Sequence, residues 1–238
     1  MDRRSMLKRA AGIGALSLAK PLLSFAQNPT SAIAHGGSLS APRDGEIIVV
    51  TAITTSVTDI DYVGPCAVFD CWMYDEVAKR AMRKFKTVTV GERREPNGDR
   101  GGNIVPDYTF EDVPNPHVVI VPAQAGSPKL VEWLRGVSKT ADVTMSVCIG
   151  ARHLAKAGLL DGQKATTHHA FIPQFSTEFP RVEWVKGARF IEGTKISTGG
   201  GLTAGIDLGL RVYERYFGRA AAQAAAAHLE YGGLGWMV

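Results

Sequence analysis

Runs rich in valine, isoleucine and threonine occupy positions 46–53, 86–91, 117–122 and 143–147, and each stops at turn-forming or polar residues. At five to eight residues they are strand-sized, and the run at 117–122 is almost wholly apolar, as strands covered on both faces are. Between them the apolar positions follow a helical period. One helix is expected to start at Pro65, because proline suits a first helical turn, and to carry Val68, Phe69 and Trp72 on its apolar face. Others are expected at 76–84 (charged), at Pro128–Val137, and after Gly150, where Leu154, Ala155, Ala157, Gly158 and Leu159 recur at helical spacing. A strand is expected at 164–168, a loop through Pro173 and Pro180, an antiparallel pair at 182–185 and 189–197, and helices at about 203–217 and 219–231. Alternation of apolar strands with helices predicts an α/β fold, with a doubly wound, mostly parallel sheet and helices on both faces.

The beginning of the chain reads differently. A charged start, an apolar middle from 10 to 23 and small residues at Ser24 and Ala26 form the pattern of a signal peptide, with cleavage near Ala26 and Gln27. Arg3-Arg4-Ser5-Met6-Leu7-Lys8 matches the twin-arginine export pattern, so the expected location is outside the cytoplasm, in the periplasm. Lys20 interrupts the apolar middle, and no later stretch has the length of a membrane span, so no membrane association is expected once the leader is gone. Residues 27–45, rich in Ser, Gly, Ala and Pro, read as a flexible tether before a single domain at 46–238.

Charge sharpens this division. Of 238 residues 45% are hydrophobic and 21% charged, enough for a sizeable core, and the formal net charge is +4. Five cations and one anion precede Gln27, leaving 22 of each sign in the remainder. The domain is therefore neutral, and no basic face for nucleic acid is expected.

Three cysteines, Cys66, Cys71 and Cys148, are too few for a disulfide framework. Cys148 stands out because it ends the 143–147 strand at a tight turn into a helix, on the sheet edge where ligands of open α/β sheets bind. A helix N-terminus there stabilises a thiolate and lowers the pKa of a cysteine from about 8.5 to as little as about 3.5. Two other loops should open on the same edge. The one after the first strand ends in Asp61, a carboxyl that either exchanges a proton with the thiol or caps a helix. The other, at 123–126, has small residues that let backbone N–H groups of Ala125 and Gly126, with that of Ile149, approach a substrate oxygen. His168 and His169 close the 164–168 strand; alternation sends them to opposite faces, so at most one meets the thiol. His168 is read either as a base for Cys148 or as a structural hydrogen-bonder. No histidine, cysteine or carboxylate set has metal-ligand spacing, so no metal or other cofactor is expected. Gly199 and Gly201 with Gly205 lack the spacing of a dinucleotide turn and read as close-packing glycines.

Four stretches carry a family resemblance: Asp61-Tyr-Val-Gly-Pro, 102–112 with its PDYTFED run, Ser146-Val-Cys-Ile-Gly-Ala followed by AGLLDGQKATTH, and Thr203-Ala-Gly-Ile-Asp-Leu. In this order they resemble the DJ-1/PfpI superfamily, within the class I glutamine-amidotransferase-like fold and its flavodoxin-like layering. The resemblance is to the branch containing isonitrile hydratase and the N-terminal domains of AraC-type regulators. It implies Cys148 as an elbow nucleophile, Asp61 as its acid partner, His168 near the cysteine, and a homodimer. Ile149 stands where hydratases of this branch have threonine and PfpI-type peptidases histidine, and it can neither donate nor accept a proton through its side chain. The expected function is a cysteine-dependent hydratase or hydrolase acting on a small electrophilic molecule. The alternatives are a glyoxalase or amidase, or a thiol redox sensor or ligand-binding protein without turnover.

Overall fold

The computed structural model describes residues 36–43, 45–71, 73–75, 80–82, 84–95 and 104–238; the segment expected as a leader and Trp72 lie outside the described residues. A seven-stranded sheet forms the centre. Its strands are β1 (Ile47–Ala52), β4 (Phe85–Gly91), β5 (Tyr108–Thr109), β6 (Val118–Val121), β7 (Val143–Ser146), β10 (Phe190–Ile191) and β11 (Ile196–Gly199), in the order β10-β11-β7-β6-β1-β4-β5. All neighbours pair in parallel except β10 with β11. The chain winds outward from β1 through β4 to β5, then returns to the other side of β1 at β6. The carboxyl ends of β1 and β6 therefore flank the switch point where ligands of such sheets bind.

Helices α1 (Asp59–Phe69), α5 (Ala204–Phe217) and α6 (Arg219–His228) cover one face, and α2 (Pro128–Val137) and α3 (Ala151–Lys156) the other. The alternating side chains of β6 show why its run is apolar throughout. Val118 and Ile120 join the core beneath α1 and α5, whereas Val119 and Val121 join the core beneath α2 and α3 with Leu130, Leu134 and Leu154. Each such side chain, fully buried, contributes about 1.5–3 kcal/mol.

Several expectations are corrected. Helix α1 starts six residues before Pro65, which therefore lies inside it. The ring is seated against α5, where a Cβ at Gly205 would stand 3.3 Å from Pro65 Cδ and one at Gly209 3.4 Å from Pro65 Cα. Close helix packing thus outweighs the local preference of proline for a first turn. Of the segment expected as a charged helix, 76–84, residues 76–79 and 83 lie outside the described residues, and Arg80–Met82 form a strand, β3, antiparallel to the preceding β2 (Met73–Asp75). The loop through Pro173 contains a helix, α4 (Ile172–Glu178), with the proline in its first turn. The pairing expected between 182–185 and 189–197 does not form. Instead β9 (Glu183–Trp184) pairs in parallel with β8 (Lys164–Ala165), and β10 folds back on β11.

The stretch expected as a tether is held down at 36–41. Gly36 N–H donates to Glu192 Oε1 at 2.7 Å, Leu39 N–H to the Arg215 carbonyl at 2.7 Å, and Leu39 and Ala41 pack on the core. The partner groups, Glu192 and Arg215, are buried, and the strap supplies them with the polar contacts that burial requires. Among the described residues no helix is long and apolar enough to cross a membrane.

Candidate active site

Three adjacent strands deliver the site. Beyond β7, Val147 N–H donates to the Val121 carbonyl at 3.0 Å, which locks the strand end to β6. Cys148 follows with φ at +58°, in the left-handed region, and its N–H donates to the Gly200 carbonyl at 2.6 Å. A left-handed side-chain-bearing residue costs about 1–2 kcal/mol, so the surrounding structure over-determines this turn. Gly150 permits it: a Cβ there would lie 2.0 Å from the Val121 carbonyl oxygen. A short 3-10 turn, Cys148–Gly150, leads into α3. Cys148 as a residue is 9% exposed.

Asp61 occupies the first turn of α1, beyond β1, and is fully buried at 0% exposure. It does not cap its helix. Ala123 N–H, beyond β6, donates to Oδ2 at 3.1 Å, whereas Oδ1 is buried without a fixed donor. The Cys148 thiol lies against this carboxyl, and each shifts the other's titration. Burial raises Asp61 from 3.8 to about 6, against the opposing pull of Ala123 N–H and the thiol. Burial, and next the negative charge of Asp61, push Cys148 up to about 11; the backbone N–H groups of Ile149 and Leu202 pull the other way without prevailing. The thiolate expected from a helix N-terminus is therefore not the resting state, because desolvation and a like charge outweigh two amide dipoles. Of the two groups, the sulfur rather than the carboxyl holds the proton more tightly.

The loop after β6 supports Asp61 but leaves little else free. Ala125 N–H donates to the Thr55 carbonyl at 3.0 Å and Gly126 N–H to Thr54 Oγ1 at 3.1 Å, so neither is the open oxyanion donor expected from the small side chains. Gln124 stitches the loop to β1, accepting from Thr54 N–H at 2.5 Å and donating to the Ala52 carbonyl at 3.0 Å. Of the three expected donors, Ile149 keeps its place beside the sulfur.

His168 and His169 are not on opposite faces. Strand β8 ends at Ala165, and the two rings stack at 4.4 Å in the turn before α4. His168 Nδ1 accepts from Ala170 N–H at 3.3 Å, and burial together with His169 holds its pKa below the usual histidine value. It borders the site indirectly. A Cβ at Gly201 would lie 2.6 Å from His168 Cδ2, and the preceding Thr167 Oγ1 donates to the Cys148 carbonyl at 2.8 Å. The structure thus unites Cys148, Asp61 and Ile149, and leaves His168 on the wall. The groups missed in the sequence are Ala123 N–H, the Gly200 carbonyl and Leu202 N–H, all backbone; the glycines at 199–201 were the visible signal for the last two, and the small-residue loop at 123–126 for the first.

All three cysteines are free. Cys66 Sγ lies 3.5 Å from Thr51 Oγ1 and burial pushes it to about 11, while Cys71 donates to the Ala67 carbonyl at 3.4 Å from within the core. Among the described residues no group of three His, Cys, Asp or Glu is placed to hold a metal.

Comparison with known proteins follows the same lines. Isonitrile hydratase of Pseudomonas putida is 37% identical over 139 residues, 55% of this chain and 59% of that protein. The HTH-type transcriptional regulator CdhR of Pseudomonas aeruginosa is 38% identical over 87 residues, 37% of this chain and 26% of the regulator. The chain thus spans less than two thirds of the length of these relatives. A crystal structure of a ThiJ/PfpI family protein from Pseudomonas syringae superposes with a TM-score of 0.67 at 26% identity, covering 81% of this chain and 78% of that one. The DJ-1/PfpI family pattern matches residues 47–215, from β1 into the last turns of α5, and the chain belongs to the DJ-1/PfpI family.

Proposed function

We propose that this protein is a cysteine-dependent hydratase of small neutral electrophiles, isonitriles foremost. The observation that carries the reading is the buried Asp61 carboxyl, raised to about 6, against the Cys148 thiol on its left-handed turn. Such a pair holds one proton next to the attacking atom and can take it up or return it without bulk water. For an isonitrile R–N≡C, the sulfur adds to the terminal carbon while the thiol proton passes to Asp61. Asp61 then delivers that proton to the same carbon, giving the thioimidate R–N=CH–S–Cys148. Water adds across the C=N bond, hydroxyl to this carbon and one proton to nitrogen, and the C–S bond then breaks with its electron pair returning to sulfur, which takes up the hydroxyl proton. The formamide R–NH–CHO leaves, and the thiol is restored. As sulfur gains charge in the first step, Ile149 and Leu202 N–H lie beside it, where preorganised donors are most effective. His168 takes no proton in this scheme.

Similarity to the P. putida hydratase supports this chemistry, and export through the leader with action outside the cytoplasm belongs to the same proposal. The test is formamide production from a small alkyl isocyanide, followed by NMR with the purified protein and with Cys148→Ala. Turnover by the native chain that vanishes in the variant supports the reading; equal turnover in the two refutes it.

Similarity to CdhR favours a second reading, a domain that binds a small molecule without converting it, to which the high thiol pKa is also suited. Saturable isocyanide binding without product would favour that alternative.

A further inference from the structure

The loop 199–203 joins β11 to α5 and brings two backbone groups to the elbow. The Gly200 carbonyl accepts from Cys148 N–H at 2.6 Å, and Leu202 N–H lies near the sulfur. Leu202 itself has φ at +47°, so local preference does not hold the loop in this shape. One residue outside the site grips both ends of it. The Arg189 carbonyl accepts from Gly200 N–H at 2.8 Å, and its Nη1 donates to Thr203 Oγ1 at 3.2 Å. The same guanidinium is braced from behind by Asp207, which it meets through Nε at 2.7 Å and again through Nη2. Asp207 is 1% exposed in the first turn of α5, and the Tyr231 hydroxyl donates to its other oxygen at 3.1 Å. A fork of donors reaching two acceptors in fixed directions is what a guanidinium supplies and an ammonium does not.

We propose that Arg189, braced by Asp207, is a positioning residue for the elbow: it fixes loop 199–203 so that the Gly200 carbonyl holds Cys148 in its left-handed conformation. Arg189 acts through the loop. Its hold on Gly200 is a backbone carbonyl that every variant keeps, so loss of the side chain acts at the Thr203 end, where it frees the neighbouring Leu202 to carry its N–H away from the sulfur and leaves Asp61 and burial opposed by Ile149 N–H alone. The inference rests on Cys148 being the reactive group of the proposed function, yet its test requires no turnover.

The experiment is the pH profile of Cys148 alkylation by iodoacetamide, read by intact mass, for the native protein and for Arg189→Ala, Arg189→Lys and Thr203→Val. Thr203→Val deletes only the hydroxyl that the guanidinium grips at an exposed position, so it answers the question even if Arg189→Ala does not fold. Expected is alkylation slowed about fivefold in Arg189→Ala and Thr203→Val, the equivalent of one lost hydrogen bond, with the profile displaced to higher pH. Arg189→Lys, which keeps the charge beside Asp207 but cannot also reach Thr203, should be as slow as Arg189→Ala. Native rates and profile in a cooperatively folded Thr203→Val overturn the proposal. So does full rescue by Arg189→Lys, which would reduce Arg189 to an ion-pair partner. A protein that converts no isocyanide but shows the expected alkylation pattern fails the proposed function and leaves this inference standing.

Discussion

Asp61→Asn separates the chemistry of the buried pair from its cost. Asparagine keeps an oxygen for Ala123 N–H and removes the charge beside Cys148. Two opposite effects should follow. Removing a negative charge a few ångströms from a thiol lowers its pKa by about one unit or more, so Cys148 alkylation at pH 8 should accelerate about tenfold. Turnover should fall by about 10²–10⁴, the usual contribution of a positioned acid–base group. Stability should move as well. A carboxyl raised from 3.8 to about 6 disfavours the folded state once it ionises, and at 1.36 kcal/mol per unit the cost is about 3 kcal/mol at pH 7. Because the folded value lies above the unfolded one, this cost is absent below pH 3.8 and grows until about pH 6. The variant should therefore melt like the native protein in acid and higher than it at pH 7; even 1 kcal/mol is about 2–4 °C in a domain of this size. The assays are alkylation by intact mass, formamide production, and thermal melts at both ends of the pH range. A variant with native turnover, or one alkylated no faster than the native chain, would refute the coupling of these two groups.

Native turnover should rise with pH through about 6 as Asp61 ionises and becomes able to accept the thiol proton, visible in a kcat profile from pH 4.5 to 8. Gly150→Ala places a methyl 2.0 Å from the Val121 carbonyl oxygen, so a urea titration should show a loss of more than about 2 kcal/mol, together with altered thiol reactivity. Trp236 is buried in the core two residues from the end of the chain, with the Arg219 guanidinium 5.5 Å above its ring. Trp236→Ala should cost about 3–5 kcal/mol by the same measurement. Arg211→Met leaves buried Glu192 without its 2.7 Å partner and should cost about 3–5 kcal/mol, with faster proteolysis at 36–41, where Glu192 also holds Gly36.

What could be read in the chain follows from the range of the forces involved. The doubly wound α/β fold was legible because β6 is buried on both faces and so must be apolar at every position, and because α2 begins at a serine-proline pair that caps it locally, with Ser127 Oγ accepting from Leu130 N–H at 3.1 Å. The placing of Cys148 at a strand end before Gly150 was legible for the same reason, since only glycine clears the Val121 carbonyl. Where partners are remote, the pattern was silent. Pro65 inside α1, the exchange of partners between β9 and β10, and the stacked pair of His168 and His169 depend on packing that outweighs local preference.

Burial on two faces and tight turns restrict residue type at each position, so the layered fold, and the strand ends that carry a thiol and an acid, can be read from the chain alone. How the two groups behave together is a property of the folded molecule. Their pKa values depend on how deeply Asp61 and Cys148 are buried against each other, and on backbone groups of Ala123, Ile149, Gly200 and Leu202 that every residue type carries equally. A helix terminus next to a cysteine predicts a thiolate; burial, and next a carboxylate at the same sulfur, keep the proton on it, and that carboxylate comes from α1, 87 positions earlier in the chain.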